Sequence, residues 1–201
     1  MTTSPAVESK FVELVRGWLV SLPHDLKIAF DAMDDENLPR PVREVAAGVV
    51  AYVISPNESV SDRNENVVSF ADDAVLLRVA LSKALGPGED EKAFRDRFPE
   101  LFESLDENLT ICKSVMGELM TWLEGKVSNL PGLDYKGKKV VKYLDDEEAR
   151  ELLFEDGMVF RTDYPVDEKT IGDKLKKAST VTEAMKRRKQ EEARAKGVAR
   201  A

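Results

Sequence analysis

Four acidic residues near the middle of the chain have types and spacing that could support chemistry. Two lie in a polar loop over residues 55–66, and two open the helix that follows: Glu58, Asp62, Asp72 and Asp73. Carboxylate oxygens are the ligands that hard cations such as Mg²⁺ and Ca²⁺ prefer. If the four groups converge, a metal-activated water could serve as the nucleophile of a hydrolase acting on a phosphate or an ester.

The helix predicted over residues 67–85 determines where the two adjacent aspartates point. At about 100° per residue, Asp73 falls at the edge of the apolar arc, whereas Asp72 points largely the other way, on the side of Lys83. A buried carboxylate is costly unless it is paired or hydrogen-bonded. Asp73 is therefore either a structural clasp, satisfied by loop amides or an arginine, or a metal ligand. We favour the clasp, because the loop lacks the spacing and the glycine of an EF-hand.

The same stretch carries a motif that combines a polar loop with paired aspartates in an apolar helix. It reads Tyr52-Val-Ile-Ser55-Pro56-Asn-Glu58-Ser-Val-Ser-Asp62, followed by Ser69-Phe-Ala-Asp72-Asp73. In these residues the segment 40–85 resembles the YkvA-type bacterial family, a domain of unknown function. Glu58, Ser61 and Ser69 stand where that family has aspartate, proline and glycine. The resemblance implies a small helical module, sometimes found next to membrane segments, and implies no activity.

Composition and the rarest residue types exclude several function classes. The 201 residues carry a formal net charge of -8, which repels nucleic acid and anionic lipid unless a basic patch is present. Zinc sites built from cysteine and histidine are excluded, since Cys112 and His24 are the only residues of their types. A nucleophile activated by histidine would have to use His24. We interpret Cys112 as a small core residue and His24 as a surface residue near a helix end.

Two features predict a cytoplasmic protein. The N-terminus has neither the basic region nor the apolar segment of a secretory signal. The longest apolar run, residues 46–54, is shorter than the roughly 20 residues that cross a bilayer. We therefore expect a cytoplasmic location and no stable insertion into membranes.

Apolar residues at steps of three and four predict a mainly α fold. A first helix is expected from Pro5 to its end at Pro23, and a long one over residues 108–127. After residue 128 the composition changes. Two short strands are predicted there, at 140–144 and 158–161, with a helix beginning at Asp145 and a turn at Asp156–Gly157 between them.

These elements predict a compact multi-helix bundle over residues 5–128. A small α/β appendage is expected to follow over 129–166, and then a helical, basic, partly solvated tail over 167–201. Residues 181–201 hold seven basic and three acidic residues, which could contact a membrane surface or an acidic partner. No aromatic residue is interleaved to stack on bases, so we expect no nucleic-acid partner and keep peripheral membrane contact as a possibility for this tail.

The sequence contains no phosphate-binding glycine loop, no nucleophile motif and no catalytic or cofactor-binding set. These absences favour a non-catalytic protein-interaction or scaffold module with a protein partner that the sequence does not identify. The alternative is a hydrolase that uses Mg²⁺ or Ca²⁺ bound to the carboxylates of Glu58, Asp62, Asp72 and Asp73.

Overall fold

The computed structural model describes residues 3–55, 67–165 and 168–198, and these are mostly helical, which confirms the mainly α bundle. The helices are α1 (Pro5–Asp34), α2 (Arg40–Ile54), α3 (Ala71–Ala84), α4 (Glu89–Arg97), α5 (Pro99–Phe102), α6 (Leu105–Met116), α7 (Glu118–Lys126), α8 (Glu147–Asp163), α9 (Glu168–Lys174) and α10 (Ala178–Val198). Short 3₁₀ turns cover Val67–Phe70, Val127–Gly132 and Val140–Leu144. Strands β1 (Asp134–Tyr135) and β2 (Lys138–Lys139) pair antiparallel, with Asp134 opposite Lys139.

Helix α1 is the central element, and it does not end at Pro23. Ser4 caps its start by accepting a hydrogen bond from the Val7 amide, and the helix continues through Pro23 to Asp34. A proline inside a helix leaves the carbonyl four residues earlier without its usual N–H donor. Here that carbonyl belongs to Leu19, and the buried Tyr164 hydroxyl donates to it over 2.8 Å. A residue distant in sequence therefore compensates for the missing donor.

Replacing Tyr164 by phenylalanine is expected to lower the free energy of unfolding by about 1–3 kcal/mol, because the Leu19 carbonyl would then be buried without a donor. Urea-induced unfolding followed by circular dichroism measures this loss. Phe160→Leu is the control. It removes the contact between the Phe160 and Tyr164 rings but leaves the Tyr164 hydroxyl in place. A Tyr164→Phe protein with wild-type stability would contradict this role of the hydroxyl.

The predicted helix over 108–127 is two helices. Gly117 lies between α6 and α7 with a φ of +53°, a left-handed conformation that glycine adopts at little cost. The first of the two helices begins earlier than predicted, at Leu105. Gly117 therefore changes the direction of a stripe that looks continuous in sequence.

The predicted strands of the appendage are wrong. Residues 140–144 form a 3₁₀ turn, and residues 158–161 belong to α8, so the sheet consists of the two short strands β1 and β2. Asp146 caps α8 by accepting a hydrogen bond from the Ala149 amide over 3.0 Å. Gly157, predicted to make a turn, lies inside α8 against the ring of Phe30, where a larger residue would not fit. Packing on α1 therefore accounts for a glycine that looked like a helix terminator.

One hydrophobic core links α1 to α2, α3 and α6, and it extends to the last helix. Its largest fully buried side chains include Phe11, Leu19, Leu22, Leu26, Ile28, Met33, Leu76, Leu77, Leu81, Phe94 and Leu123. Val181 and Met185 of α10 are buried in the same core, whereas Lys186 and Arg187 are exposed. No helix in the described part of the chain is long and apolar enough to cross a membrane.

Candidate functional site

The structure describes two of the four acidic residues proposed as metal ligands. Glu58 and Asp62 lie outside the described residues. Asp72 and Asp73 both occupy the first turn of α3, and both are buried, with exposed fractions of 2% and 0%. The inward position predicted for Asp73 is confirmed. The outward position predicted for Asp72 is wrong, because α10 lies over that side of α3.

Asp72 is held by side chains from two other helices. The hydroxyl of Tyr52, in α2, donates to Asp72 Oδ2 over 3.0 Å. Arg188, in α10, places its Nε 3.7 Å from the same oxygen. A guanidinium and a phenol therefore provide the charge and the hydrogen bond that this buried carboxylate requires.

Two more charged residues complete this cluster. Lys126 Nζ, in α7, lies 2.5 Å from Oε1 of Glu192 in α10 and donates to the Tyr52 hydroxyl over 3.1 Å. Its ammonium also lies 4.4 Å from the ring centroid of Trp122 and 4.9 Å from that of Tyr52. We call Tyr52, Asp72, Lys126, Arg188 and Glu192 the tail clasp, since they join α10 to the bundle.

Burial shifts the pKa values of two members of the tail clasp, Tyr52 and Lys126. It raises the pKa of Tyr52 well above its usual range, and the charges of Asp72 and Asp73 raise it further. Burial also lowers the pKa of Lys126, which its pairing with Glu192 partly offsets. Two carboxylates and two cations of the clasp thus contact one another, which is typical of a group that stabilises a helix interface.

These contacts test the predicted structural role of Asp73 only in part. The observed arginine partner belongs to the neighbouring Asp72, although Asp73 is close enough to raise the pKa of Tyr164 in addition to the larger effect of burial. No group of three or more metal-ligating side chains occurs among residues 3–55, 67–165 and 168–198. The metal site itself stays a prediction, since it depends on Glu58 and Asp62.

Replacing Asp72 by asparagine is expected to lower the thermal midpoint by about 2–10 °C. The physical reason is that Arg188 would lose one of its two carboxylate partners and keep Glu192, at a cost of roughly 1–3 kcal/mol in a chain of this size. The midpoint is measured by differential scanning fluorimetry, with and without millimolar Mg²⁺, Mn²⁺ or Ca²⁺. We expect the same loss in every buffer.

Asp96→Asn removes an exposed carboxylate and is the control, with an expected change of under about 0.5 kcal/mol. If a metal raised the midpoint of the wild type but not that of Asp72→Asn, the structural interpretation of Asp72 would be wrong. The predicted metal site would then be supported, because a ligand that binds only the folded state stabilises it.

A second buried charged group was missed from the sequence. Arg78 of α3 contacts Asp25 of α1, with 2.6 Å between Arg78 Nη2 and Asp25 Oδ2, and both are almost fully buried. Ser21 donates to Asp25 over 2.8 Å and accepts from Arg78 over 2.9 Å, while the guanidinium lies 4.6 Å from the Trp18 ring centroid. The sequence does contain a signal for this ion pair: Asp25 and Arg78, which have opposite charges, each interrupt the apolar stripe of a helix.

The cysteine and the histidine occupy contrasting environments. Cys112 is fully buried, and burial raises the pKa of its thiol to about 12, with a smaller opposing effect from Arg78. A thiol in this environment is a poor nucleophile near neutral pH. The His24 side chain is exposed, and its Nε2 lies 3.1 Å from Glu100 Oε1.

Helix α8 exposes the large apolar side chains that face solvent in the described part of the chain. They are Leu152, Phe154, Met158 and Val159, with exposed fractions between 42% and 59%. We call these four residues the α8 strip. They were not predicted from the sequence, because the predicted helix from Asp145 stopped at a turn at Asp156–Gly157 and residues 158–161 were predicted to be a strand, which separates the four residues.

In comparisons with protein-family models, curated proteins and solved structures, the chain matches none. The resemblance of residues 40–85 to the YkvA-type family therefore stays a prediction.

Proposed function

We propose that this protein is a non-catalytic interaction module that binds a protein partner through the α8 strip. The observation that carries the proposal is the exposure of four large apolar side chains on a single helix. Large apolar side chains exposed to water gain free energy when a partner covers them, because their surface is then removed from water. The strip is thus the surface from which a partner would gain most by excluding water.

The strip is presented by a helix whose inner face is fixed. Leu153 and Gly157 face the core, and at about 100° per residue the strip residues lie around the opposite half of the helix. Leu152 and Val159 lie on one edge of that outer face, and Phe154 and Met158 lie on the other. Since the backbone is held by the Asp146 cap, little conformational freedom would be lost when a partner binds.

The buried charges support a structural rather than a catalytic use. Asp25, Arg78 and Asp72 each contact an oppositely charged side chain of another helix. Catalytic acids and bases need access to a substrate, and these groups are enclosed by packed helices. This arrangement favours the interaction module over the hydrolase.

The test places the photo-crosslinking amino acid p-benzoylphenylalanine at Leu152 and, separately, at Met158 in the full chain, expressed in its native host. Thr121, exposed on α7, is the control position. We expect adducts of the same mass from both strip positions and none from Thr121. The Met158 adduct should disappear when Leu152→Ser is added. The proposal is overturned if neither strip position gives an adduct beyond that seen at Thr121.

A further inference from the structure

We infer that the ligand of the α8 strip is a cationic amphipathic helix of the partner protein. The inference rests on the proposed function and adds the chemistry of the partner. Four exposed glutamates share the outer half of α8 with the strip: Glu147, Glu148, Glu151 and Glu155. In the part of the chain that the structure describes, none of them forms an ion pair.

Three of these glutamates lie between the two apolar edges of the outer face. At about 100° per residue, Glu148, Glu151 and Glu155 fall near the middle of the outer face, with Leu152 to one side and Met158 to the other. A ligand that covers the apolar side chains would therefore also cover three carboxylates. Covered carboxylates need cations or donors, since an unpaired buried charge is strongly unfavourable.

A recess beside Phe154 strengthens the acidic character of this surface. It has a volume of about 290 Å³ and is lined by Asp34, Arg150, Glu151, Phe154 and Glu155. The Arg150 guanidinium lies 3.9 Å from an Asp34 carboxylate oxygen. The recess thus holds one cation and the three carboxylates of Asp34, Glu151 and Glu155. A long basic side chain fits such a recess, because its methylene stem packs on the ring while its charged end reaches the carboxylates.

Charge also distinguishes the possible occupants of the strip. A second copy of α8 paired by a two-fold axis would set Glu155 and its neighbours against the same residues, and like charges repel. An anionic membrane or a nucleic acid would be repelled for the same reason. A helix with apolar residues at steps of three and four and with flanking lysine or arginine matches both the apolar and the acidic part of the surface.

The inference is tested with the full chain and three labelled synthetic peptides in a fluorescence anisotropy titration. One is an amphipathic helix of leucine and lysine, the second has glutamate in place of lysine, and the third has the composition of the first in an order that is not amphipathic. We expect the amphipathic lysine peptide to bind, and the glutamate and scrambled peptides to bind at least about tenfold more weakly. Raising the ionic strength should weaken binding, since exposed charges are screened.

Two triple variants separate the strip from the overall negative charge of the chain. E148Q/E151Q/E155Q removes three carboxylates from the outer face. It should weaken binding of the lysine peptide by about tenfold. The control E103Q/E107Q/E118Q removes three exposed glutamates elsewhere and should change affinity by no more than about twofold. L152S/V159S should also weaken binding, since it removes one apolar edge of the strip.

Equal affinity for the lysine and glutamate peptides would overturn the inference. So would an equal loss of affinity for the lysine peptide in the two triple variants. If the inference fails while Leu152 and Met158 still give crosslinked adducts, the interaction function stands with a partner of other chemistry. If the adducts are also absent, both the inference and the proposed function fail.

Discussion

Arg78→Met is expected to lower the free energy of unfolding by about 3–5 kcal/mol, because it leaves the Asp25 carboxylate buried without its cation. The pair is enclosed, with 3% and 1% of the two side chains exposed, and the Ser21 hydroxyl alone would remain to donate to Asp25. Urea-induced unfolding followed by circular dichroism measures the loss. Arg187→Met on the exposed side of α10 is the matched control, with an expected change within about 0.5 kcal/mol.

The effect of Arg78→Met should also depend on pH. Burial raises the pKa of Asp25 even in the presence of Arg78, which lowers it, so removing Arg78 raises the folded-state value further. The folded state then binds the Asp25 proton more tightly than the unfolded state, and stability falls as pH rises from the unfolded pKa towards the folded one. The variant should therefore lose least stability at low pH and most at neutral pH.

Replacing both members of the pair separates charge from packing. R78M/D25L exchanges the ion pair for apolar side chains, and it should recover most of the stability that Arg78→Met loses. A single Arg78→Met variant within about 1 kcal/mol of the wild type at neutral pH would show that Asp25 does not depend on the guanidinium.

Gly48→Ala is expected to lower the free energy of unfolding by about 1–3 kcal/mol, although alanine is the better helix former. A Cβ added to Gly48 in α2 would lie 2.5 Å from the carbonyl oxygen of Leu130 and 2.7 Å from its Cβ. The obstacle is mainly backbone, in the 3₁₀ turn Val127–Gly132, and it cannot move aside as a flexible side chain could. Helix α2 or that turn must shift, which disturbs the core between them.

Gly125→Ala in α7 provides the control for Gly48→Ala. A Cβ at Gly125 meets no atom within 4 Å, so alanine there should raise stability by up to about 1 kcal/mol. Thermal unfolding of the two variants is expected to shift the midpoint in opposite directions. A Gly48→Ala protein as stable as Gly125→Ala would show that α2 and the 3₁₀ turn can separate without cost.

Local patterns account for most of the helices. Apolar residues at steps of three and four recur along α1, α2 and α3, and α1 begins at the predicted residue, Pro5. Pro23 and Gly157 were misinterpreted for one reason: each is a helix breaker by its intrinsic preference. In the folded chain Tyr164 supplies a donor for the carbonyl freed by Pro23, and Phe30 packs on Gly157.

The candidate surfaces were less predictable than the helices. The face of Asp73 followed from its position on the apolar arc of α3, but burial of Asp72 depends on α10, which lies more than a hundred residues away. The α8 strip required a correct helix boundary, because its spacing is meaningful only along one continuous helix. The metal site at Glu58, Asp62, Asp72 and Asp73 stays a prediction for the hydrolase alternative.

The mainly α class, the inward position of Asp73 and the unsuitability of Cys112 and His24 for a zinc site could be predicted before the structure was known. These properties follow from periodicity and residue type, which act over one or two helical turns. Helix packing brings Arg188 to Asp72 and Arg78 to Asp25, and it leaves one face of α8 in water. Such contacts join distant parts of the chain, and they depend on how the helices pack rather than on what each helix prefers alone.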